Sequence, residues 1–285
     1  MRRIEAGHLK IKKRNLSHIA AHILLLMISA VYIIPFVWMV TTALKTAQEL
    51  YACPDAIFPK NPVLNNFFDV FVTIPYIRYL ANTAFVSISC VIGFTLTASM
   101  VAYSMSKIEW FGRKGLFPII IGTMMIPTQV TMIPLYMTYQ KIGAVGTYLP
   151  LILPAFCGGP YYIFLFRQFF RTVPDCLTEA ARIDGASEIR IFSAVVLPLC
   201  VPALISIAVF AFMAAWGDFF NPMLYLNDQE KYTVSLGLQA FMSENKVEWG
   251  QLMAASTLFT LPTIVLFFFA QKSFVEGIAV TGIKG

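Results

Sequence analysis

Six long apolar stretches run along the chain, at about 19–41, 79–104, 116–137, 148–168, 199–221 and 253–271. Each is long enough to cross hydrocarbon as a helix, which takes about 20 residues at a rise of about 1.5 Å each. Polar and charged residues collect between the stretches. The pattern predicts an all-α integral membrane protein with six transmembrane helices. The first stretch, Ile19 to Val40, is about 22 residues long and follows Arg2, Arg3, Lys10, Lys12, Lys13 and Arg14. A secretory leader would have an apolar core of about 7–15 residues, so this run is expected to stay as a helix. Prolines interrupt four of the stretches: Pro35, Pro127 with Pro134, Pro154 with Pro160, and Pro262. Lipid-embedded helices tolerate proline where neighbours satisfy the freed carbonyls, so these read as spans with kinks. Gly158-Gly159-Pro160 is the sharpest interruption, either a kink or an unwound stretch beside a polar path.

Composition agrees. Hydrophobic residues make up 58% of the 285 and charged residues 13%, with a mean hydropathy of +0.71. A soluble domain carries about 25% charged residues and could not hide this much apolar surface. The net charge of +6 does not indicate a nucleic-acid partner, because Lys and Arg sit in short clusters between apolar runs. Placing the N-terminus in the cytoplasm puts fifteen of the 21 Lys and Arg on inner segments and six on outer ones. The positive-inside rule then expects both termini in the cytoplasm of a bacterial-type cell membrane. The organisation expected is a basic cytoplasmic N-terminus (1–18), one membrane domain (19–271) and a cytoplasmic tail (272–285). Outer loops cover 42–78, with turns and a short surface helix, and 222–252, a polar loop long enough to be functional or disordered. Cys53, Cys90, Cys157, Cys176 and Cys200 form no CxxC pair and have no metal-ligand spacing with His, so neither a metal site nor a disulfide is expected.

The segment 169–198 is too polar to span and carries the most informative pattern, TVPDCLTEAARIDGASEIRIFSAVVLPLCVP from Thr172 to Pro202. Pro174 suits a first helical turn, where it leaves no N–H unpaired. Asp175 and Glu179 lie near that helix's positive end. Gly185 permits a sharp turn, and Ala186 to Val196 can resume as helix before Leu197-Pro198. A helix–glycine–helix hairpin on the membrane surface is either a plain connector or a docking knob. Glu179-Ala180-Ala181, Gly185 four residues later, and Leu197-Pro198 resemble the EAA loop of ATP-binding-cassette (ABC) importer permeases; Val195 stands where that pattern has Ile. Together with PYYIFLFRQFF at 160–170, WGDFFNP at 216–222 and the terminal GIAVTGIKG, the whole chain is similar to the maltose-type carbohydrate-uptake permeases, and specifically to their shorter six-helix subunit. The resemblance implies a sugar importer, not an enzyme. Its implied partners are a second homologous permease, two cytoplasmic ATPase subunits that bind ATP and Mg, and an extracytoplasmic sugar-binding protein. Glu179, Ala180, Ala181, Asp184, Gly185 and Ala186 are the implied ATPase-coupling residues.

Other chemistries can be weighed from the residues. A phosphate-binding P-loop needs Gly-x-x-x-x-Gly-Lys-Ser/Thr. The nearest string, Gly277 to Lys284, has Ile283 between Gly282 and Lys284 and is followed only by Gly285. Ion-coupled transport places carboxylates or His within spans, and here only Asp218 and His22 lie near helix ends. No acid–base or metal constellation suggests a membrane enzyme. A sugar path calls for amides, hydroxyls and aromatic faces. The candidates are Asn82, Thr83, Ser87, Tyr161, Tyr162, Trp216, Asp218 and Asn221, although interfacial aromatics and small polar residues also serve packing. The alternatives are a permease for another solute, such as glycerol phosphate, and an ion-coupled transporter.

The charge asymmetry makes a topological prediction. In a cysteine-free background, a single cysteine near Asp228 should react with an impermeant maleimide added outside. One near Gly185 should react only once the membrane is opened. The reverse pattern would invert the topology.

Overall fold

The computed structural model describes residues 2–242 and 247–282, with side chains described between Ile19 and Ser273 of these. Among the described residues the regular structure is helical, apart from one isolated antiparallel bridge between Met242 and Val247. Helix α1 (Arg2–Ala43) is followed by α2 (Ala47–Ala52), α3 (Asn65–Thr73) and α4 (Tyr76–Lys107). Next come α5 (Arg113–Gly122), α6 (Thr128–Lys141), α7 (Leu149–Phe156), α8 (Pro160–Phe170), α9 (Asp175–Ile183) and α10 (Glu188–Ile191). The rest are α11 (Leu197–Leu199), α12 (Val201–Trp216), α13 (Phe220–Tyr225), α14 (Val234–Gly237) and α15 (Trp249–Gly282).

Four segments are long and apolar enough to cross a membrane without a sharp bend: Ile19–Ala43, Tyr76–Lys107, Leu149–Phe170 and Trp249–Ser273. Two bent pairs raise the number to six. Arg113–Met125 meets Thr128–Lys141 at 94°, and Glu188–Leu199 meets Val201–Trp216 at 86°. The third apolar stretch is therefore not the kinked span that the sequence suggests, and the fifth opens at a bend that the sequence reading did not include. Proline chemistry explains the first bend. Pro127 excludes Ile126 from the helical region, and Ile126 sits extended at φ −80°, ψ 115°. At the second, Pro198 and Pro202 each lack the N–H that would bond one turn back, and the helix breaks between them at Cys200 (φ −109°, ψ 17°). The Gly158-Gly159-Pro160 interruption is unwound: Gly158 takes φ +73°, and Gly159 is extended before the proline.

The chain divides into two compact units. The first comprises residues 1–72 and 241–258. Here the apolar face of α1 is uncovered, with Ile23, Leu26, Val31 and Tyr32 all exposed, as lipid contact requires. The 42–78 region holds two short helices, α2 and α3, rather than one. Thr46 and Glu49 form a capping box at the start of α2. The Lys45 side chain is fully buried; its ammonium donates to the Ala56 carbonyl and lies 5.3 Å from the centroid of the Trp38 ring. Asn66 donates to the carbonyls of Ala43 and Lys45, both at 2.8 Å. The basic side chains of 1–18, the loop residue Glu244 and the side chains beyond Ser273 lie outside the described ones.

The second unit comprises residues 73–240 and 259–285, with α4 at its centre. Helices α7, α8 and α12 all pack on α4. The core joins Ala98, Ala102 and Tyr103 of α4 to Phe166 and Phe170 of α8, and to Ile191, Val196, Cys200 and Ile207. Small residues set the closest approach. A Cβ on Gly93 would stand 2.9 Å from the Ala155 Cβ and 3.0 Å from its carbonyl carbon. Thr97 Oγ1 bonds the Gly93 carbonyl at 2.8 Å and reaches the Ala155 carbonyl at 3.1 Å, so it helps satisfy an acceptor near the α7 break. Between α10 and α11 the chain winds as a π-helix over Phe192–Val196, and the buried positions run Ile191, Val196, Cys200.

This packing separates two glycines. Gly93→Ala should drive α4 and α7 apart and cost about 1–3 kcal/mol, as overpacking does. Gly115→Ala should be neutral or stabilise by about 0.5–1 kcal/mol, since nothing lies within 4 Å of its Cβ position on α5. Thermal unfolding of the two variants in detergent micelles checks the contrast.

Candidate functional site

Two features of the second unit stand apart from packing: a surface hairpin and a cavity. The hairpin begins after Phe170. Pro174 is extended at ψ 133° and sits just ahead of α9, with Asp175 in the first turn. Gly185 ends the helix at φ +77°, in the left-handed region that glycine enters without strain. Ser187 caps α10, and the helix then widens into the π turn. Glu179, Ala180, Asp184 and Gly185 are exposed; Ala181 and Ala186 are half-buried against the core. Ile183 and Ile189 stand 86% and 78% exposed beside the turn, so the tip presents bare apolar surface. Nothing lies within 4 Å of the position a Gly185 Cβ would take.

Residues outside the recognised pattern anchor this hairpin. The ammonium of Lys107, the last residue of α4, donates to the Asp175 carboxylate at 2.6 Å and to the Val173 carbonyl. The Lys107 side chain is only 2% exposed, whereas that of Asp175 remains 76% exposed. Arg182 donates to the Lys107 carbonyl at 3.0 Å and to Glu188 at 2.6 Å, and Tyr103 donates to Glu188 at 2.6 Å. Both limbs are thus tied to the last turns of α4. The hydrogen bond from Lys107, and then its charge, hold the Asp175 carboxyl below its ordinary range. The anchor is therefore complete at neutral pH and is lost as pH falls through and below the usual carboxylate range.

The cavity, of about 510 Å³, lies among α4, α6, α7, α8, α12 and α13. Three expected path residues line it: Tyr162, Asp218 and Asn221. Asn221 donates its backbone and side-chain N–H groups to the Asp218 carboxylate, at 3.2 and 2.8 Å. Tyr162 packs on Phe94 with ring centroids 4.4 Å apart. Thr128, Thr131 and Tyr225 also line the cavity and were missed from the sequence. Two hydroxyls three residues apart, just past a proline in an apolar stretch, were the available signal. Asp218 is the one charged residue of the lining, which includes no Lys or Arg.

The remaining candidates sit elsewhere. Trp216 is buried, stacked between Phe212 and Phe259, and donates to the Phe259 carbonyl at 3.0 Å. Tyr161 is exposed and edge-on to Tyr162. Ser87 is fully buried, and its hydroxyl meets no hydrogen-bond partner among the described residues. Asn82 gives both amide hydrogens, at 2.9 Å, to the Glu230 and Tyr232 carbonyls, and Thr83 accepts from Val234 N–H at 2.9 Å. These bonds, with the Arg78–Glu230 pair at 3.0 Å, seat residues 228–237 on the first turns of α4. Ser235 in turn donates to the Asp218 carbonyl at 2.6 Å. The part of the polar loop described here is therefore ordered, and it fixes the residue that brings charge to the cavity.

The family profile described as the binding-protein-dependent transport system inner membrane component matches residues 93–280, which include the hairpin and most of the cavity lining. The chain belongs to this family. The permease is 33% identical over 274 residues to the maltodextrin transport system permease protein MdxG of Bacillus subtilis, covering 95% of this chain and 98% of that one. It is 32% identical to the sn-glycerol-3-phosphate transport system permease protein UgpE of Escherichia coli, over 94% and 98% of the two chains. Its fold is that of a solved bacterial ABC transporter involved in import of the acidic polysaccharide alginate, at a TM-score of 0.79 and 21% identity, covering 90% of the permease and 96% of that chain.

The anchor yields a directional test. Asp175→Asn leaves a buried ammonium facing neutral acceptors, whereas Lys107→Met leaves Asp175 in water. Asp175→Asn should speed hydrogen exchange across 173–183 by about tenfold to a hundredfold, as the ~1.5–3 kcal/mol of a hydrogen bond to a charged group implies. Lys107→Met should do so less.

Proposed function

We propose that this permease forms half of the membrane path of an ABC importer for a neutral sugar, with a second, homologous permease supplying the other half. The observation that carries the substrate class is the lining of the cavity. A carboxylate, an amide, two threonine hydroxyls and tyrosine rings offer hydrogen bonds and stacking faces to a polyol, and the lining has no cation to hold an anion. Likeness to MdxG supports the same reading. Glycerol phosphate is the second reading, favoured by the UgpE likeness, but the only charge in the lining has the wrong sign for it.

The hairpin is the part suited to coupling. Its exposed tip carries Glu179, Asp184 and a glycine through which a partner backbone can approach closely. Its base is bonded to α4 and continues into α12, which lines the cavity. Two cytoplasmic ATPase subunits, holding ATP and Mg, are the proposed occupants of that tip. An extracytoplasmic binding protein would deliver the sugar on the opposite side. The excess of Lys and Arg on the hairpin's side of the membrane supports placing that side, and both termini, in the cytoplasm.

Two variants test these parts in liposomes containing the assembled transporter. Asn221→Ala should lower ATP-driven uptake of the sugar about tenfold, the loss of one hydrogen bond to solute or to the carboxylate that receives it. Uptake of glycerol phosphate with unchanged kinetics in this variant would instead favour the second reading. Gly185→Asp should abolish co-purification of the ATPase, or uncouple it, while the permease still inserts. Aspartate is among the residues that tolerate a left-handed backbone, so the effect reports docking rather than folding. Normal assembly and uptake with Gly185→Asp would remove the hairpin from the mechanism.

A further inference from the structure

A second pocket, of about 280 Å³, opens where α4 and α8 finish and α5 begins. Four cations border it: Arg113 and Lys114 from α5, Arg167 and Arg171 from the end of α8. Little offsets them. The carboxylates in reach are Glu109, 3.9 Å from Arg113 and almost fully exposed, and Asp175, which feels the Arg113 charge but is bonded to Lys107. Arg113 spends one donor on the Ile108 carbonyl at 2.9 Å. The Arg167 guanidinium lies 3.7 Å from the centroid of the Phe117 ring, with its Nε 3.5 Å from the Met105 carbonyl, so its plane is fixed and its terminal nitrogens are left over. No acceptor is recorded for the side chains of Lys114 and Arg171 among the described residues. Ser106 supplies no donor, since its hydroxyl bonds the Ala102 carbonyl at 2.7 Å.

We propose that this pocket binds the phosphodiester of an anionic phospholipid head group. Four positive charges converging on one space repel one another unless an anion sits among them, and guanidinium forks suit phosphate oxygens. The position selects a lipid. Two membrane-spanning segments end here, at Lys107 and Phe170, so the pocket lies at head-group depth. Its walls include Met105, Phe117 and Pro118, and α5 continues with Leu116 and Ile119 exposed to receive an acyl chain.

The test uses the full-length chain in nanodiscs of phosphatidylcholine, with and without phosphatidylglycerol, and mass spectrometry of the lipid retained after detergent washing. Wild type should retain phosphatidylglycerol over phosphatidylcholine. The Lys114→Gln/Arg171→Gln variant removes two exposed side chains, so folding should survive, and retention should fall about twentyfold to thirtyfold, as two interfacial cations imply. Lys60→Gln/Lys141→Gln, with the same change in net charge elsewhere, should retain as wild type does. A parallel arm measures binding of inorganic phosphate. If phosphate binds wild type and not the pocket variant, while phosphatidylglycerol does not distinguish them, the source is a free anion and the lipid assignment falls. Equal retention of phosphatidylglycerol by wild type and pocket variant, with no phosphate difference, overturns the proposal and leaves the pocket to an acidic segment of a protein partner.

Discussion

A helix in lipid gains little by burying apolar surface against another helix, because the tails it leaves are as apolar as the neighbour it meets. Association must come from close packing and from polar groups that bond across. That constraint explains α4. Gly93 lets the α7 backbone come within contact distance, Thr97 bridges to the α7 carbonyl, and Ala98 and Ala102 keep the helix narrow where α8 and α12 cross it. Phe166 and Phe170 of α8 fill the space that these small residues leave. The cavity, the hairpin and the outer loop are all hung from this one helix.

The two ends of α4 use different chemistry for related tasks. At its first turns, neutral amide and hydroxyl groups hold the 228–237 segment, with one exposed ion pair that contributes little by itself. At its last turns, an enclosed ammonium and a guanidinium hold the hairpin. Neutral contacts are insensitive to nearby charge. Those at the hairpin depend on it, and that is the end proposed to meet a nucleotide-driven partner. A displacement of the hairpin would pull on Lys107 and Tyr103 before it reached the cavity lining.

Much of this was legible in the sequence, for identifiable reasons. Apolar runs declare membrane helices because the cost of polar groups in hydrocarbon leaves little choice, and the four spans without a sharp bend fell where the runs fell. The helix–glycine–helix shape was legible because Gly185 permits a sharp turn between two helical stretches, whereas its reading as a docking knob came from the resemblance. The two bends near 90° did not show, since proline in a membrane helix is as compatible with a kink as with a break, and only neighbouring backbone settles which. Cavity residues were harder still. Asn82 and Trp216 have the right chemistry for a sugar path but are committed to a loop and to a ring stack. Thr128 and Thr131 look ordinary until the bend after Ile126 turns them inward. Lys107 read as one more basic residue at a helix end, because its carboxylate partner lies 68 positions away.

The π turn at Phe192–Val196 has a consequence for how insertions and deletions are tolerated. It spends one residue more than an α turn would, and the buried positions step by five and then four, from Ile191 to Val196 to Cys200. Loss of any single residue there would let the turn close to the ordinary pitch. The buried positions would then step by four and four, so the short run from Leu197 to the bend would keep its face. Cys200 would stay in the core it shares with Tyr103 and Phe170. The wide turn is thus the place where a one-residue change in length between the hairpin and the bend is absorbed without rotating the core face.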